Sequence, residues 1–311
     1  MVELLILKIV LLGAFKMSTE KFIYLYGQVI TSESILLCGD FPKADSYAEI
    51  KEIHHQIGGE TGTAAAVLAS LGCRIKVGGT HIGNSNRHII RGYLDSHGID
   101  GSELLDRNFD GVMDRIIIAG DTRTSFGEWG RLWNKVYYEP PREESVKNCS
   151  VMGWDNFCGD LTAELCRKYG KKYAAIDCMY SSAANRFCAV NAVSHEFLEG
   201  HYPDKSPEEI YGLYTENSEG LIIFTFGKEN VMYGRKGQSP KFFKPYSVNA
   251  VSTLGAGDSF KAGTVYALSL GLSDEDIVRY GCATAGAAIT RFPISENPPT
   301  IGDVKKLLTE R

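Results

Sequence analysis

The residues best suited to chemistry lie in one stretch, Ser252-Thr-Leu-Gly-Ala-Gly-Asp-Ser-Phe-Lys-Ala-Gly263. Gly255, Ala256 and Gly257 leave the backbone bare, so an anion can reach its amides. Asp258 follows, where a helix begins. Phe260, Val265, Ala267, Leu268 and Leu270 give that helix a buried side, and Gly271 is its stop. The first N–H groups of a helix have no internal partner, and the dipole there favours negative charge. The bend therefore suits the charge that develops on a phosphoryl group in transit. A carboxylate at the same bend is placed to take a proton from a hydroxyl nucleophile. The plainer reading is an aspartate that only caps its helix, and for an isolated G-x-G-D that reading would be preferred. No Gly-Lys-Ser/Thr follows the glycines, so the stretch is not a P-loop. It also lacks the third glycine of a dinucleotide fingerprint.

Thr253-Leu-Gly-Ala-Gly-Asp-Ser-Phe260 resembles the C-terminal signature of the PfkB, or ribokinase-like, carbohydrate kinases, Asp-Thr-x-Gly-Ala-Gly-Asp-Ser/Thr-Phe. Weaker motifs in matching order carry the resemblance over residues 22–308. Ile57-Gly-Gly-Glu-Thr-Gly-Thr-Ala, running on to Leu71-Gly72, is similar to the family's Gly-Gly-x-x-x-Asn-x-Ala…Leu-Gly. Gly58 and Gly59 then form a substrate-facing turn, and Thr63 stands where the family has asparagine. Asp121-Thr-Arg123-Thr124 resembles the family's Asp-Gly-x-Arg turn. Arg123 becomes a contact for substrate or phosphate, since guanidinium pairs oxyanions bidentately; a solvated turn arginine is an equal reading. Asn191 fits the first position of the family's metal-organising Asn-x-x-Glu, with Ser194 in the glutamate's place. Thr225, Gly227 and Asn230 resemble the Thr-x-Gly-x-x-Gly nucleotide element, with Asn230 at the last glycine, a mild change because Asn tolerates positive φ. Thr253, Ala283 and Gly286 complete the nucleotide-facing set, although small residues at 282–289 serve close helix packing equally well. Ser32 falls where members commonly place an aspartate that binds substrate hydroxyls.

The resemblance implies an α/β, ribokinase-like fold, with a central, mostly parallel sheet flanked by helices on both faces and a small β-sheet lid. The alternation of strand-like and helix-like runs independently indicates a covered parallel sheet. A single kinase domain is expected over residues 17–311, with lid segments at roughly 31–57 and 111–128. The implied activity is ATP-dependent phosphorylation of a hydroxyl on a sugar or sugar-like small molecule. Asp258 is then the general base, and the amides of Gly255, Ala256, Gly257 and Asp258 hold the γ-phosphoryl oxygens. ATP and Mg²⁺ are the implied cofactors, and no metal ligand of the protein's own is singled out. Ser252 stands where the signature opens with aspartate, which speaks against potassium activation. Ser32 and Thr63 point to an unusual substrate.

Two other classes compete. Ser32 and Thr63 would suit a ligand-binding protein that kept the fold and lost turnover, which the intact Gly255–Asp258 turn opposes. Gly257-Asp258-Ser259-Phe260 looks like an esterase box with Ser259 as nucleophile. Such a serine needs a histidine, and none follows His201.

The bulk properties set bounds. The 311 residues, 44% of them hydrophobic, can bury a large core, and a net charge of -5 argues against nucleic acid as a partner. Eight scattered cysteines without a C-x-x-C read as small buried hydrophobes in a reducing, cytoplasmic setting. The apolar run at residues 4–15 is too short to span a bilayer. Residues 1–16 read as an upstream extension, with Met17 as a natural start. No membrane partner is expected. The Trp- and Tyr-rich tract from Glu128 to Ser145 is suited to cover the site or to make a subunit contact, such as a homodimer through the lid.

Overall fold

Six buried runs, four of them leading into a helix and two into a further strand, stack side by side in a computed structural model of the chain, which describes residues 21–120, 122–129, 138–155 and 159–310. The strands are β1 (Ile23–Gly27), β4 (Ile75–Gly79), β7 (Val151–Trp154), β8 (Tyr173–Ile176), β9 (Val190–Ser194) and β10 (Leu221–Thr225). All six are parallel, and two antiparallel strands, β11 (Val231–Gly234) and β12 (Lys241–Phe243), extend one edge. The sheet order is β12-β11-β10-β9-β8-β7-β1-β4. Buried on both faces, these strands are continuous apolar runs, as in IYLYG and LIIFT.

Helices cover the two faces and divide the core into two large clusters. One holds α1 (Glu60–Ser70), α2 (Arg87–Ser96), α8 (Ala256–Ser269), α9 (Asp274–Ile289) and α10 (Ile301–Thr309). The other holds α3 (Glu143–Asn148), α4 (Gly159–Lys168), α5 (Ala183–Arg186), α6 (His195–His201) and α7 (Pro207–Glu216), around Trp154, Tyr173 and Tyr214. α8 lies hard against its neighbours. A Cβ on Gly153 of β7 would stand 2.9 Å from Val265 Cγ2, and one on Gly263 would stand 2.5 Å from Tyr280 O of α9.

A second, four-stranded sheet stands apart, in the order β3-β2-β5-β6. Its strands are β2 (Ile30–Leu37), β3 (Ile50–Gly58), β5 (Met113–Ala119) and β6 (Thr122–Gly127). β2 and β5 are parallel and the outer pairs antiparallel. These strands fall in the two segments expected of a lid.

One expected element is replaced. Lys244–Val251 reads as a strand feeding the glycine turn, but β12 ends at Phe243 and residues 244–250 are irregular. Pro245 has no N–H for a ladder, and the Val251 and Ser252 amides instead donate to Ile289 O at the end of α9. The extension expected at residues 1–16, Asp121 and residues 130–137 of the aromatic tract lie outside the described residues.

Candidate active site

α8 opens on the glycine turn. Gly255 is its N-cap, with φ 76° and ψ 11°, a left-handed conformation that a side chain strains. Space matters there too, because a Cβ at Gly255 would stand 3.2 Å from both Thr63 Cγ2 and Ile294 Cδ1. Thr63, on α1, thus packs directly against the turn. A Cβ at Gly257 would meet nothing within 4 Å, so that side of the bend is open.

The backbone accounting corrects one expectation. The Ala256 amide donates to Thr253 O and the Ser259 amide to Gly255 O. Among the described residues no such bond takes the amides of Gly255, Gly257 or Asp258. Three amides of the turn, rather than the expected four, are thus left open to an anion, because Ala256 uses its N–H to close the turn.

Asp258 lies in the first turn of α8 and is partly accessible. Burial of its carboxyl, with Lys261 pulling down and Asp155 pushing up, raises it to about 7. Ser259 is fully buried and its hydroxyl donates to Gly255 O at 2.8 Å. A hydroxyl tied inside a helix cannot attack an ester, so the Ser259 nucleophile is set aside.

Below the turn sits a charged group that the sequence does not announce. Lys261, one turn past Asp258, is 1% exposed and its ammonium donates to Asp155 Oδ1. Asp155 follows β7 and also accepts from Gln28 N at 2.6 Å and from Thr61 Oγ1 at 3.0 Å. Glu60, at the start of α1, places Oε2 3.8 Å from Lys261 Nζ. Burial disfavours the lysine's charge, but Asp155, Glu60 and Asp258 outweigh it and raise its pKa. Glu60 is raised to about 8, by burial first and then by Asp155. A Phe-Lys-Ala run in a helix resembles a surface lysine; only the fold shows that this one points down at the end of β7.

The ends of three strands line up beside the turn. Asp177, with φ 50°, follows β8 and accepts from the Ser194 amide at 2.7 Å and its hydroxyl at 3.2 Å. Burial raises Asp177 against those bonds. Ser194 ends β9 in register with Thr225, the last residue of β10. Gly227, with φ 60°, and exposed Asn230 lie in the β10–β11 connection.

Three expected nucleotide contacts move inside the protein. Asn191 is fully buried within β9, where its amide donates to Asn185 Oδ1 at 2.9 Å and to Cys178 O at 3.3 Å. It sits three residues short of the strand end, which Ser194 occupies. Ala283 is fully buried in the core, and Gly286 faces Leu307 Cδ1 and Tyr246 Cβ, which makes both helix-packing positions.

The lid reaches the turn through one side chain. Arg123 on β6 donates to Thr253 Oγ1 at 3.1 Å and lies close enough to lower Asp258. Gly58 ends β3, and a Cβ there would collide with Ser32 Oγ. Gly59 caps α1 at φ 77°, against the Gln28 backbone. Ser32 is 5% exposed, its hydroxyl turned toward Gly58.

Among the described residues no group of three or more His, Cys, Asp or Glu could hold a metal ion, and no helix is long and apolar enough to cross a membrane. A magnesium ion that travels with nucleotide phosphates keeps several waters and needs only one or two carboxylates. Asp177 and Glu60 supply that kind of donor.

Comparison with known proteins bears on the fold and on the C-terminal part of the chain. Residues 189–301 match the family described as "pfkB family carbohydrate kinase". A 5-dehydro-2-deoxygluconokinase of Bacillus licheniformis is 26% identical over 132 residues, 42% of this chain and 40% of that protein. The match thus spans well under half the length of that curated relative. The structure of Arabidopsis thaliana ribokinase complexed with ribose and ATP superposes at TM-score 0.77, with 17% identity, over 93% of this chain and 99% of the other. A nucleoside kinase of Methanocaldococcus jannaschii, described as an archaeal member of the ribokinase family, superposes at TM-score 0.74, with 17% identity, over 94% and 99% of the two chains.

Proposed function

Taking the chain as a member of the PfkB, ribokinase-like carbohydrate kinases, we propose that it transfers the γ-phosphoryl group of ATP to a hydroxyl of a sugar-like small molecule. One juxtaposition supports this reading. Three unshared amides, of Gly255, Gly257 and Asp258, open on the same helix end as a carboxyl raised to about 7.

Each group has a role in the transfer. Asp258 accepts the proton of the attacking hydroxyl as its oxygen bonds to the γ-phosphorus and the bond to the ADP oxygen breaks. The three amides hold the phosphoryl oxygens, where the helix dipole adds to their effect. Mg²⁺ beside Asp177 or Glu60 would neutralise phosphate charge, because phosphoryl transfer rests on positioning and charge compensation. Lys261 keeps α8 fixed to the end of β7 through Asp155, so the proton acceptor is held at a set height above the sheet. Thr225, Gly227, Asn230 and Thr253 border the nucleotide side, and Gly59, Thr63 and Arg123 the substrate side. Ser252 in place of an aspartate fits a kinase that does not depend on potassium.

The sugar kinases among the relatives make a sugar or sugar-like molecule the natural acceptor class. Pairing of two lids into a homodimer is compatible with the exposed outer face of β6. A cytoplasmic setting suits an ATP-consuming enzyme.

Asp258→Asn tests the central assignment. A general base contributes ~10²–10⁴ in rate, so kcat on an accepted substrate should fall by about that factor while calorimetric ATP affinity is kept. An Asp258→Asn protein that retains most of its kcat overturns the reading.

A further inference from the structure

Ser32 leaves the lid without an acid at the position where the resembled kinases place one, and the lid's register shows what lies next to it. β2 and β5 run parallel with Ser32 opposite Asp114, and β5 pairs with β6 so that Asp114 lies opposite Gly127. Residues directly opposite one another point to the same face of a sheet. Arg123 is four residues from Gly127 on β6, an even step, so it shares that face. The Arg123 side chain bonds Thr253 beside the glycine turn. The face that carries Ser32 and Asp114 is therefore the one turned toward the reaction site.

The two residues differ in what they can still bind. Ser32 is enclosed, its hydroxyl against Gly58. Asp114 is partly accessible, yet its Oδ1 is buried and has no hydrogen-bond donor. Among the described residues no lysine or arginine pairs with it; the charge that acts on it is Glu128, which is engaged by Arg115 at 2.9 Å. An unpaired buried acceptor costs roughly 1–3 kcal/mol, a cost that an incoming O–H donor would remove. Gly127 opposite keeps a side chain off this flank, since a Cβ there would stand 3.3 Å from both Asp114 Oδ1 and Trp129 Cδ1.

We infer that Asp114 is the specificity-determining residue that receives substrate hydroxyls in place of Ser32: the lid carboxylate stands one strand across, on β5, and accepts O–H donors of a polyhydroxylated acceptor. This rests on the kinase reading, but it concerns binding and not proton transfer. The shift changes which hydroxyls are held, because neighbouring strands lie about 4.8 Å apart. A sugar or cyclitol would sit displaced toward β5 by about one strand.

The experiment uses the full chain and a panel of aldoses, ketoses, cyclitols and nucleosides. Calorimetry measures binding, and ADP release measures turnover, for wild type, Asp114→Asn and Asp114→Ala. A hydrogen bond to a charged group is worth ~1.5–3 kcal/mol, so Asp114→Ala should weaken polyol binding about 10- to 100-fold. KM for the polyol should rise in parallel and KM for ATP should not change. Asp114→Asn, which keeps the side chain's shape, should show the same split if Ala fails to fold. Polyol affinity within twofold of wild type in both variants overturns the inference, as does a wild type that binds no polyol. Since calorimetry needs no turnover, failure of Asp258 as the base would leave this result readable.

Discussion

The glycine-turn floor and the lid handle charge in opposite ways. On the floor, Lys261 and Asp155 are 1% and 2% exposed at their side chains, joined to each other and tied to three elements of the main domain. On the lid, every residue of β6 is exposed, and the contact recorded between Arg123 and the floor is one 3.1 Å hydrogen bond to Thr253. Moving a floor charge means uncovering a buried ion, whereas moving the lid charge exchanges one bond for water. The floor is therefore fixed ahead of the reaction, while the Arg123 end of β6 is lightly held; the rest of the small sheet is tied to the main domain through β3, where Ser295 donates to Gln56 Oε1 and His54 lies 3.4 Å from Glu296. Such a division suits a kinase, which must exclude water during transfer and release product afterwards.

The comparison can be broken most forcefully at Lys261. Removing one partner of a buried pair typically costs ~3–5 kcal/mol. Lys261→Met should approach that loss in denaturant unfolding, and Asp155→Asn in the same chain should recover part of it. A Lys261→Met protein as stable as wild type would show that the floor is not rigidly built.

A smaller effect is expected from pH. With Asp258 near 7 as the required base, kcat should decline as the pH falls through that value. The linked stability runs the other way. Asp258 and Glu60 bind protons more tightly folded, near 7 and 8, than at their ordinary 3.8 and 4.5. Their stabilising contribution is complete below about 4 and is lost as the pH rises toward 8. Urea midpoints and kcat measured over pH 5–9 should therefore move in opposite directions; parallel curves would sever the base from the buried cluster.

The mildest change is at the lid. Exposed ionic contacts are worth at most about 1 kcal/mol and are screened by salt. Arg123→Ala should raise the acceptor KM no more than about fivefold, less at high salt, with unfolding unchanged. A thousandfold loss would promote the lid arginine to a partner of the floor.

How much of this was legible beforehand follows from distance along the chain. The turn, its aspartate and the first turns of its helix lie within twelve consecutive residues, so the neighbourhood of Gly255, Gly257 and Asp258 could be read directly. Thr63 and Arg123 were placed at the site by the resemblance, and the structure puts both against the turn or its threonine. Local pattern could not show that the Ala256 amide is spent, because that depends on the curl of the turn. Asn191 was offered to the site by its resemblance to the family's Asn-x-x-Glu, and the fold instead buries it within β9 on Asn185 and Cys178. Local pattern also offered Ala283 and Gly286 to a nucleotide, when small residues on a helix equally permit the close approach of Leu307 and Tyr246. Lys261, Asp155 and Glu60 come from α8, the end of β7 and α1, more than a hundred residues apart in part, and Asp114 meets Ser32 only through strand register. Pairings of that kind leave no mark on either segment alone.

The glycines beneath α8 have a consequence for how this protein can change. With Gly153 and Gly263 holding the helix directly on the sheet and on α9, a methyl group added at either place would act as a shim, tilting Asp258, the proposed proton acceptor, out of place. Reacting groups lose much of their advantage when displaced by about 1 Å. The positions most sensitive to drift in this site thus include two that touch neither reactant, and their smallness is a mechanical tolerance written into the far side of the helix.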